Sequence, residues 1–251
     1  HYPLRRQRQM CIRDRLGGTI FLNCGIDLRE GFLYYCKIVC MRETIIVKVN
    51  SAYPEKEKIQ QAVEVIKNGG LVIFPTDTVY GIGANAFLSE AVKKIYQVKG
   101  RTFKKPLILL LENQGQVYPL VSEISEEAKK IIKKYWPGPL SLIFKASPLG
   151  TILTGGLKTI ALRIPDNKIA LSMIKTAGVP LATTSANLAG KKSPIRARET
   201  VKDFKNKVDL IVDAGVTKYQ VESTILDLSV YPYQIIREGY IKKYEILNTK
   251  Q

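Results

Sequence analysis

From Met41 to its end at Gln251 the chain has no cysteine and no histidine; Cys11, Cys24, Cys36, Cys40 and His1 all precede that stretch. This excludes a Ser-His-Asp triad, a cysteine nucleophile, a CxxC redox pair and a Cys/His zinc site from residues 41–251. Chemistry there must run on Lys, Arg, Ser, Thr, Asn, Tyr and carboxylates, groups suited to binding and polarising phosphates and carboxylates. Long apolar runs are also missing: none approaches the roughly 18 residues a membrane-spanning helix needs, so no membrane association is expected. A body without cysteine needs no oxidising compartment, and the cytoplasm is the expected location. Internal repeats and low-complexity linkers are absent.

The first forty residues lack serine and carry seven Lys/Arg against three Asp/Glu. They show no sustained helical or strand period. Arg13, Asp14 and Arg15 interrupt any apolar core of a secretory signal, and the shortage of serine argues against a transit peptide. The run Gln9-Met10-Cys11-Ile12-Arg13-Asp14-Arg15 resembles translated adapter sequence. Residues 1–40 are therefore expected to be a non-native or disordered extension, with Met41 as the start of a single domain over 41–251. The body carries 32 Lys/Arg (39 less 7) against 19 Asp/Glu (22 less 3), a balance that favours anionic partners. A solvated coat of helix-borne lysines such as Lys93, Lys94, Lys129 and Lys130 accounts for the same numbers.

After Met41 strand-like and helix-like stretches alternate. A strand is predicted at 43–49, then a helix opened by Pro54 with Ile59, Ala62, Val63 and Ile66 on one face and Gly69-Gly70 at its end. Leu71 to Phe74 reads as a buried strand running into a polar turn over 75–81. Ser89 is expected to cap a helix that Gly100 stops, and Leu107 to Leu111 is the next strand. A helix over 126–135 behind Ser125, strands at 140–145 and 159–164, a helix near 167–176 and strands at 180–184, 209–213, 223–228 and 233–237 complete the body. Such interleaving predicts an α/β fold around a mixed sheet, with polar groups gathered on loops at strand ends.

Neither a GxxxxGK[ST] phosphate loop nor a complete GxGxxG is present; Gly81-Ile82-Gly83 stops one glycine short. Lys99-Gly100-Arg101, with Lys105 beyond, could grip phosphate, but a cationic helix end followed by glycine is also ordinary capping. Thr183-Thr184-Ser185-Ala186-Asn187 after a strand could equally be turn chemistry. The combination says more than its parts. Pro75-Thr76-Asp77-Thr78-Val79-Tyr80-Gly81-Ile82-Gly83, Lys99-x-Arg101, Pro137-Gly138-Pro139, Arg163-Ile164-Pro165, Ser185-Ala186-Asn187 and Ser223-Thr224 follow in one order. This series closely resembles the YrdC-like L-threonylcarbamoyladenylate synthase family over nearly all of residues 43–240.

The resemblance implies a twisted, open α/β sheet with a concave, positively charged cavity, in the single-domain form. It implies a nucleotidyltransferase that makes threonylcarbamoyl-AMP, diphosphate and water from L-threonine, bicarbonate (as CO2) and ATP with Mg2+. That product serves N6-threonylcarbamoylation of adenosine 37 in some tRNAs (t6A37), completed by separate tRNA threonylcarbamoyl-transfer proteins; an RNA contact by this chain stays open. Position by position, Thr78, Arg163, Thr183 and Ser223 match the threonine-binding set. Arg101, Lys105, Thr159, Ser185, Ser193 and Arg237 match the ATP-contacting positions, and Lys99, Arg101, Ser185 and Asn187 form the signature tetrad of the catalytic site. Thr159 and Ser223 also suit strands for their β-propensity, Ser193 before Pro194 suits a turn, and Arg237 suits a surface. Asp77 is either an indirect magnesium partner or a structural turn residue. One departure stands out: some relatives carry a histidine beyond the Pro106-Leu107-Ile108 strand, where this chain has Leu109-Leu110-Leu111. The segment 185–195, with Gly190 and Pro194, is the candidate lid. Competing readings are an RNA-binding module on the same fold, the carbamoyl-adenylating part of hydrogenase-maturation proteins, and a paralogous family lacking the full tetrad.

Overall fold

Apolar residues that alternate between two buried faces dictate the architecture of the body. The computed structural model describes residues 8–13, 19–24, 39–40, 43–103 and 106–247. The chain divides into two units, His1–Thr44 and Ile45–Gln251. In the first, β1 (Arg8–Arg13), β2 (Thr19–Cys24) and β3 (Val39–Cys40) form an antiparallel sheet in that order, although the sequence there shows no strand period.

The second unit is built on ten strands: β4 (Ile45–Lys48), β5 (Val72–Pro75), β6 (Tyr80–Asn85), β7 (Ile108–Leu110), β8 (Leu140–Lys145), β9 (Thr159–Arg163), β10 (Leu181–Ser185), β11 (Leu210–Asp213), β12 (Thr224–Asp227) and β13 (Gln234–Arg237). They form one open, mixed sheet in the order β13-β12-β8-β9-β7-β10-β6-β5-β11-β4. Its helices among the described residues are α1 (Lys56–Lys67), α2 (Ser89–Lys99), α3 (Glu126–Tyr135), α4 (Pro148–Leu153), α5 (Lys168–Ala177), α6 (Ala197–Phe204) and α7 (Lys243–Leu247).

Strand residues of opposite parity serve opposite faces. Val72, Phe74, Leu110, Leu181, Leu210 and Val212 join Ile59, Val63 and Ile66 of α1 and Ile169, Met173 and Ile174 of α5. Leu71, Ile73, Leu109, Leu140, Leu142, Ile160, Leu162 and Leu226 point the other way, toward Ile95 of α2, Ile131 of α3 and Phe204 of α6. Helices α1 and α5 thus cover only the β5/β11 half of their face. Over β8, β9 and β12 the residues of the same parity, Ile143, Ala161, Arg163 and Ile225, line a cavity instead.

Several expected boundaries hold closely. Helix α3 and β8 occupy the predicted spans, and Ser125 Oγ accepts from Ala128 N at 3.1 Å as the N-cap. Gly100 ends α2 in the left-handed conformation at φ 58°. Others are corrected. Ser89 is the first helical residue rather than the cap, which falls on Leu88 without a side-chain bond, and α1 begins at Lys56, after Pro54. The polar turn over 75–81 is shorter than expected because Tyr80 already opens β6, a wholly buried strand that glycine-rich composition conceals. A Cβ on Gly81 would lie 2.9 Å from Thr183 Cγ2, and one on Gly83 would lie 2.7 Å from Phe74 Cε1. Glycine is used in β6 because neighbouring side chains cross its surface. Helices α4 and α6 are also absent from the sequence reading.

Candidate active site

The turn between β5 and β6 is organised by one hydroxyl. Thr76 Oγ1 donates to Val79 O at 2.7 Å and lies 3.0 Å from Thr78 Oγ1. Two loop contacts secure the turn from outside: Thr217 Oγ1 donates to Thr78 O and Tyr219 N to Asp77 O, both at 2.8 Å. The turn presents Asp77 and Thr78 to Arg163 at the end of β9. Arg163 is 5 % exposed, and its guanidinium donates from Nε to Gly138 O at 3.0 Å, from Nη1 to Thr78 Oγ1 at 2.9 Å and from Nη2 to Asp77 Oδ1 at 2.6 Å. Three of a guanidinium's five N–H groups are thereby committed, leaving two for a ligand. Asp77 is fully buried, and its Oδ2 has no hydrogen-bond partner. Through Oδ1 it serves Arg163 as a buried counter-ion.

The tetrad separates into a support and a lining. Lys99, 3 % exposed, donates to Ser185 O and reaches Asn187 Oδ1 at 3.5 Å. Ser185 Oγ donates to the same Asn187 oxygen at 2.5 Å, while Asn187 Nδ2 donates to Lys191 O at 2.6 Å. Lys99 therefore holds the turn after β10 from behind and is not among the cavity-lining residues. Burial, with the neighbouring Arg101 charge, pushes its ammonium down to about 8 from 10.5. Arg101 lines the cavity, donating to Thr184 Oγ1 at 3.2 Å and Pro106 O at 3.0 Å.

At the opposite wall a bulge aims Arg237. Ile225 pairs with Arg237 and Leu226 with Ile235, so Ile236 is the extra residue in β13. This irregularity turns Arg237 onto the cavity face together with Ile225. Arg237 donates from Nε and Nη2 to Ser223 O at 3.1 and 2.9 Å, and pairs through Nη1 with Glu222. It is a half-buried wall residue, and burial lowers its pKa. Ser223 is buried, with its Oγ 2.9 Å from Ser141 Oγ.

The cavity measures about 310 Å3, at the small end of the roughly 300–1,000 Å3 typical of ligand pockets. Of the residues expected from sequence, Thr78, Arg101, Arg163, Thr183, Ser185, Ser223 and Arg237 all line it. Lys99 and Asn187 stand behind that wall. Ser193 donates to Glu222, a lining residue, without lining the cavity itself. Thr159 shares the strand face of Ala161 and Arg163 but sits at the far end of β9, outside the lining. Lys105 falls outside the described residues. Glu222 is the member that sequence reasoning missed; its only signal was its place before Ser223. Among the described residues no cluster of three His, Cys, Asp or Glu is arranged to hold a metal.

The family described as Sua5/YciO/YrdC, telomere recombination, matches residues 64–239. The chain belongs to the Sua5/YciO/YrdC family. Within it, the chain is 43% identical over 204 residues to the threonylcarbamoyl-AMP synthase of Pyrococcus abyssi, covering 81% of this chain and 60% of that protein. It is 42% identical over 191 residues to the threonylcarbamoyl-AMP synthase of Bacillus subtilis, covering 75% of this chain and 55% of that protein. The crystal structure of P. abyssi Sua5 complexed with L-threonine superposes with a TM-score of 0.79 at 42% identity, covering 82% of this chain and 61% of that one. The chain thus spans little more than half the length of these Sua5 relatives. No described helix is long and apolar enough to cross a membrane.

Proposed function

We propose that the protein is a threonylcarbamoyl-AMP synthase, converting L-threonine, bicarbonate and ATP to threonylcarbamoyl-AMP, diphosphate and water for tRNA t6A37 synthesis. The observation that carries this reading is the convergence of Arg101, Arg163 and Arg237 with Thr78, Thr183, Ser185 and Ser223 on one cavity. Relatives bearing that activity in their names support it.

In this reading the two uncommitted N–H groups of Arg163 take the threonine carboxylate, with Thr78, Thr183 and Ser223 supplying neutral contacts around it. The amine adds to CO2 derived from bicarbonate, forming a carbamate. A carbamate oxygen then forms a bond to the α-phosphorus of ATP as the bond from that phosphorus to the bridging oxygen breaks, and diphosphate leaves with the electron pair. The attacking oxygen is already anionic, so this step needs no strong base, which suits a site without histidine or cysteine. It needs alignment and cations along the phosphates. Arg101, Arg237 and Ser185 are assigned to that task, with Lys105 as a further cation for the phosphates and Thr159 and Ser193 as outer contacts to the nucleotide. Lys99 and Asn187 fix the Ser185 turn. Magnesium is assigned to the ATP that carries it, because Glu222 is the sole carboxylate among the described lining residues. The aliphatic floor of Ile108, Leu110, Ile143 and Ile225 keeps water from the carbamate. A cytoplasmic location, transfer of the product by separate tRNA-modifying proteins and any RNA contact belong to the same proposal.

Diphosphate release with magnesium-ATP tests it, omitting threonine or bicarbonate in turn beside Arg101→Ala. Release that requires both co-substrates and is lost in the variant is expected. Release indifferent to threonine overturns the reading.

A further inference from the structure

Glu222 has no task in the reaction just described, yet both of its carboxylate oxygens are engaged at the cavity wall. Oε1 accepts from Ser193 Oγ, and Oε2 pairs with Arg237 Nη1 at 2.5 Å. The backbone beneath is tightly held: Tyr240 N donates to Glu222 O at 3.0 Å, and a Cβ on Gly239 would lie 2.1 Å from that same oxygen. The side chain is about one-third exposed, as is that of Arg237, so solvent reaches this part of the cavity wall. The charged groups facing it are Arg237 in contact and Lys99, whose ammonium its charge favours.

Ser193 and Arg237 are two of the residues assigned to the nucleotide. A carboxylate offers a hydroxyl and a guanidinium the same thing that a phosphate does, anionic oxygens that accept hydrogen bonds. In this structure Glu222 gives both donors the partner that a phosphate would give them.

We propose that Glu222 is a positioning residue that stands in for a phosphate, holding Ser193 and Arg237 in their anion-binding geometry and weakening the site's hold on diphosphate. The proposal rests on the synthase reading. Its physical basis is exchange of one anion for another at Arg237: diphosphate must displace the carboxylate or sit beside a like charge. Both outcomes favour release of the product over its retention.

Sign distinguishes this from mere structural support. Glu222→Gln keeps the shape and the acceptor for Ser193 but removes the charge. Calorimetric titration of inorganic diphosphate into the full chain should show Glu222→Gln binding roughly two- to five-fold tighter than the unmodified protein, about the size of one partly exposed charge interaction. That gain should vanish when Arg237→Ala is added. With ATP and threonine, Glu222→Gln should lower both KM for ATP and kcat, as slowed product release demands.

Unchanged or weaker diphosphate binding in Glu222→Gln overturns the proposal, as does absence of diphosphate binding by either protein. If thermal unfolding shows that Glu222→Gln does not fold, Glu222→Ala carries the same test with the same expected direction. Threonine-dependent turnover without tightened binding sinks the proposal alone. Tightened binding without threonine-dependent turnover sinks the synthase reading and leaves the anion exchange standing.

Discussion

Arg163 and Asp77 form a buried ion pair whose geometry depends on the planar guanidinium. Arg163→Lys replaces a three-way fork to Gly138, Thr78 and Asp77 by a single ammonium, which cannot also reach a carboxylate ligand. On the proposed synthase reading, KM for threonine is expected to rise at least tenfold while ATP affinity changes little, as steady-state kinetics would show. Asp77→Ala leaves the guanidinium buried without its counter-ion and should cost on the order of 3–5 kcal/mol in urea unfolding. Lys99 makes a prediction of opposite character. Its unfolded-state ammonium holds its proton to about pH 10.5, whereas the folded one releases it near 8. Folding therefore releases a proton between those values, and stability gains from this residue as pH rises across that window. The stability difference between the unmodified protein and Lys99→Met should shift in favour of the unmodified protein from pH 7.5 to pH 10; a flat difference would contradict this assignment. The cavity residues Thr78, Arg163, Thr183 and Ser223 were legible as a set only through their order along the chain. Glu222 was not legible, because a lone carboxylate before a strand carries no pattern until Ser193 and Arg237 are seen to meet it.

At the scale of elements, capping and close approach decide what single changes do. Ser125→Ala removes the acceptor for Ala128 N and should destabilise α3 by about 1 kcal/mol. Gly83→Ala drives a methyl to within 2.7 Å of Phe74 Cε1, and Phe74 is fully buried, so the ring must move at a cost of about 1–3 kcal/mol. Thermal unfolding of both variants measures the two effects. Helices with an apolar stripe and a polar cap, such as α3, can be read along the chain because their signals are local. The strand β6 cannot, since its two glycines answer to Thr183 and Phe74 on neighbouring strands rather than to any local preference. The bulge in β13 is hidden for the same reason: it exists only as a mismatch with β12.

For the whole molecule, the separation into two units predicts that residues 45–251 keep the sheet and the cavity without the segment before them. Thermal unfolding of a 45–251 chain should remain a single cooperative transition, with diphosphate binding retained; loss of either would tie residues 1–44 to the site. The cavity itself is a consequence of incomplete coverage. The face that meets α2, α3 and α6 is buried along much of the sheet, whereas α1 and α5 cover only part of the other. Residues of that uncovered parity are free to bind rather than pack, which is how Ala161 and Arg163 come to share a strand face with different tasks.

By itself the sequence determined the α/β class, the alternation of buried strands with amphipathic helices, and the exclusion of histidine- and cysteine-based chemistry from residues 41–251. Those properties follow from composition and from periods of two and 3.6 residues, which are local. Strand order, the half-open face, the burial of Lys99 behind the wall and the Ser193–Glu222–Arg237 bridge were decided only by the tertiary structure. Each depends on residues well separated along the chain coming together, 15 positions apart for Glu222 and Arg237 and 86 for Lys99 and Ser185, and no local period encodes which distant strand will be the neighbour.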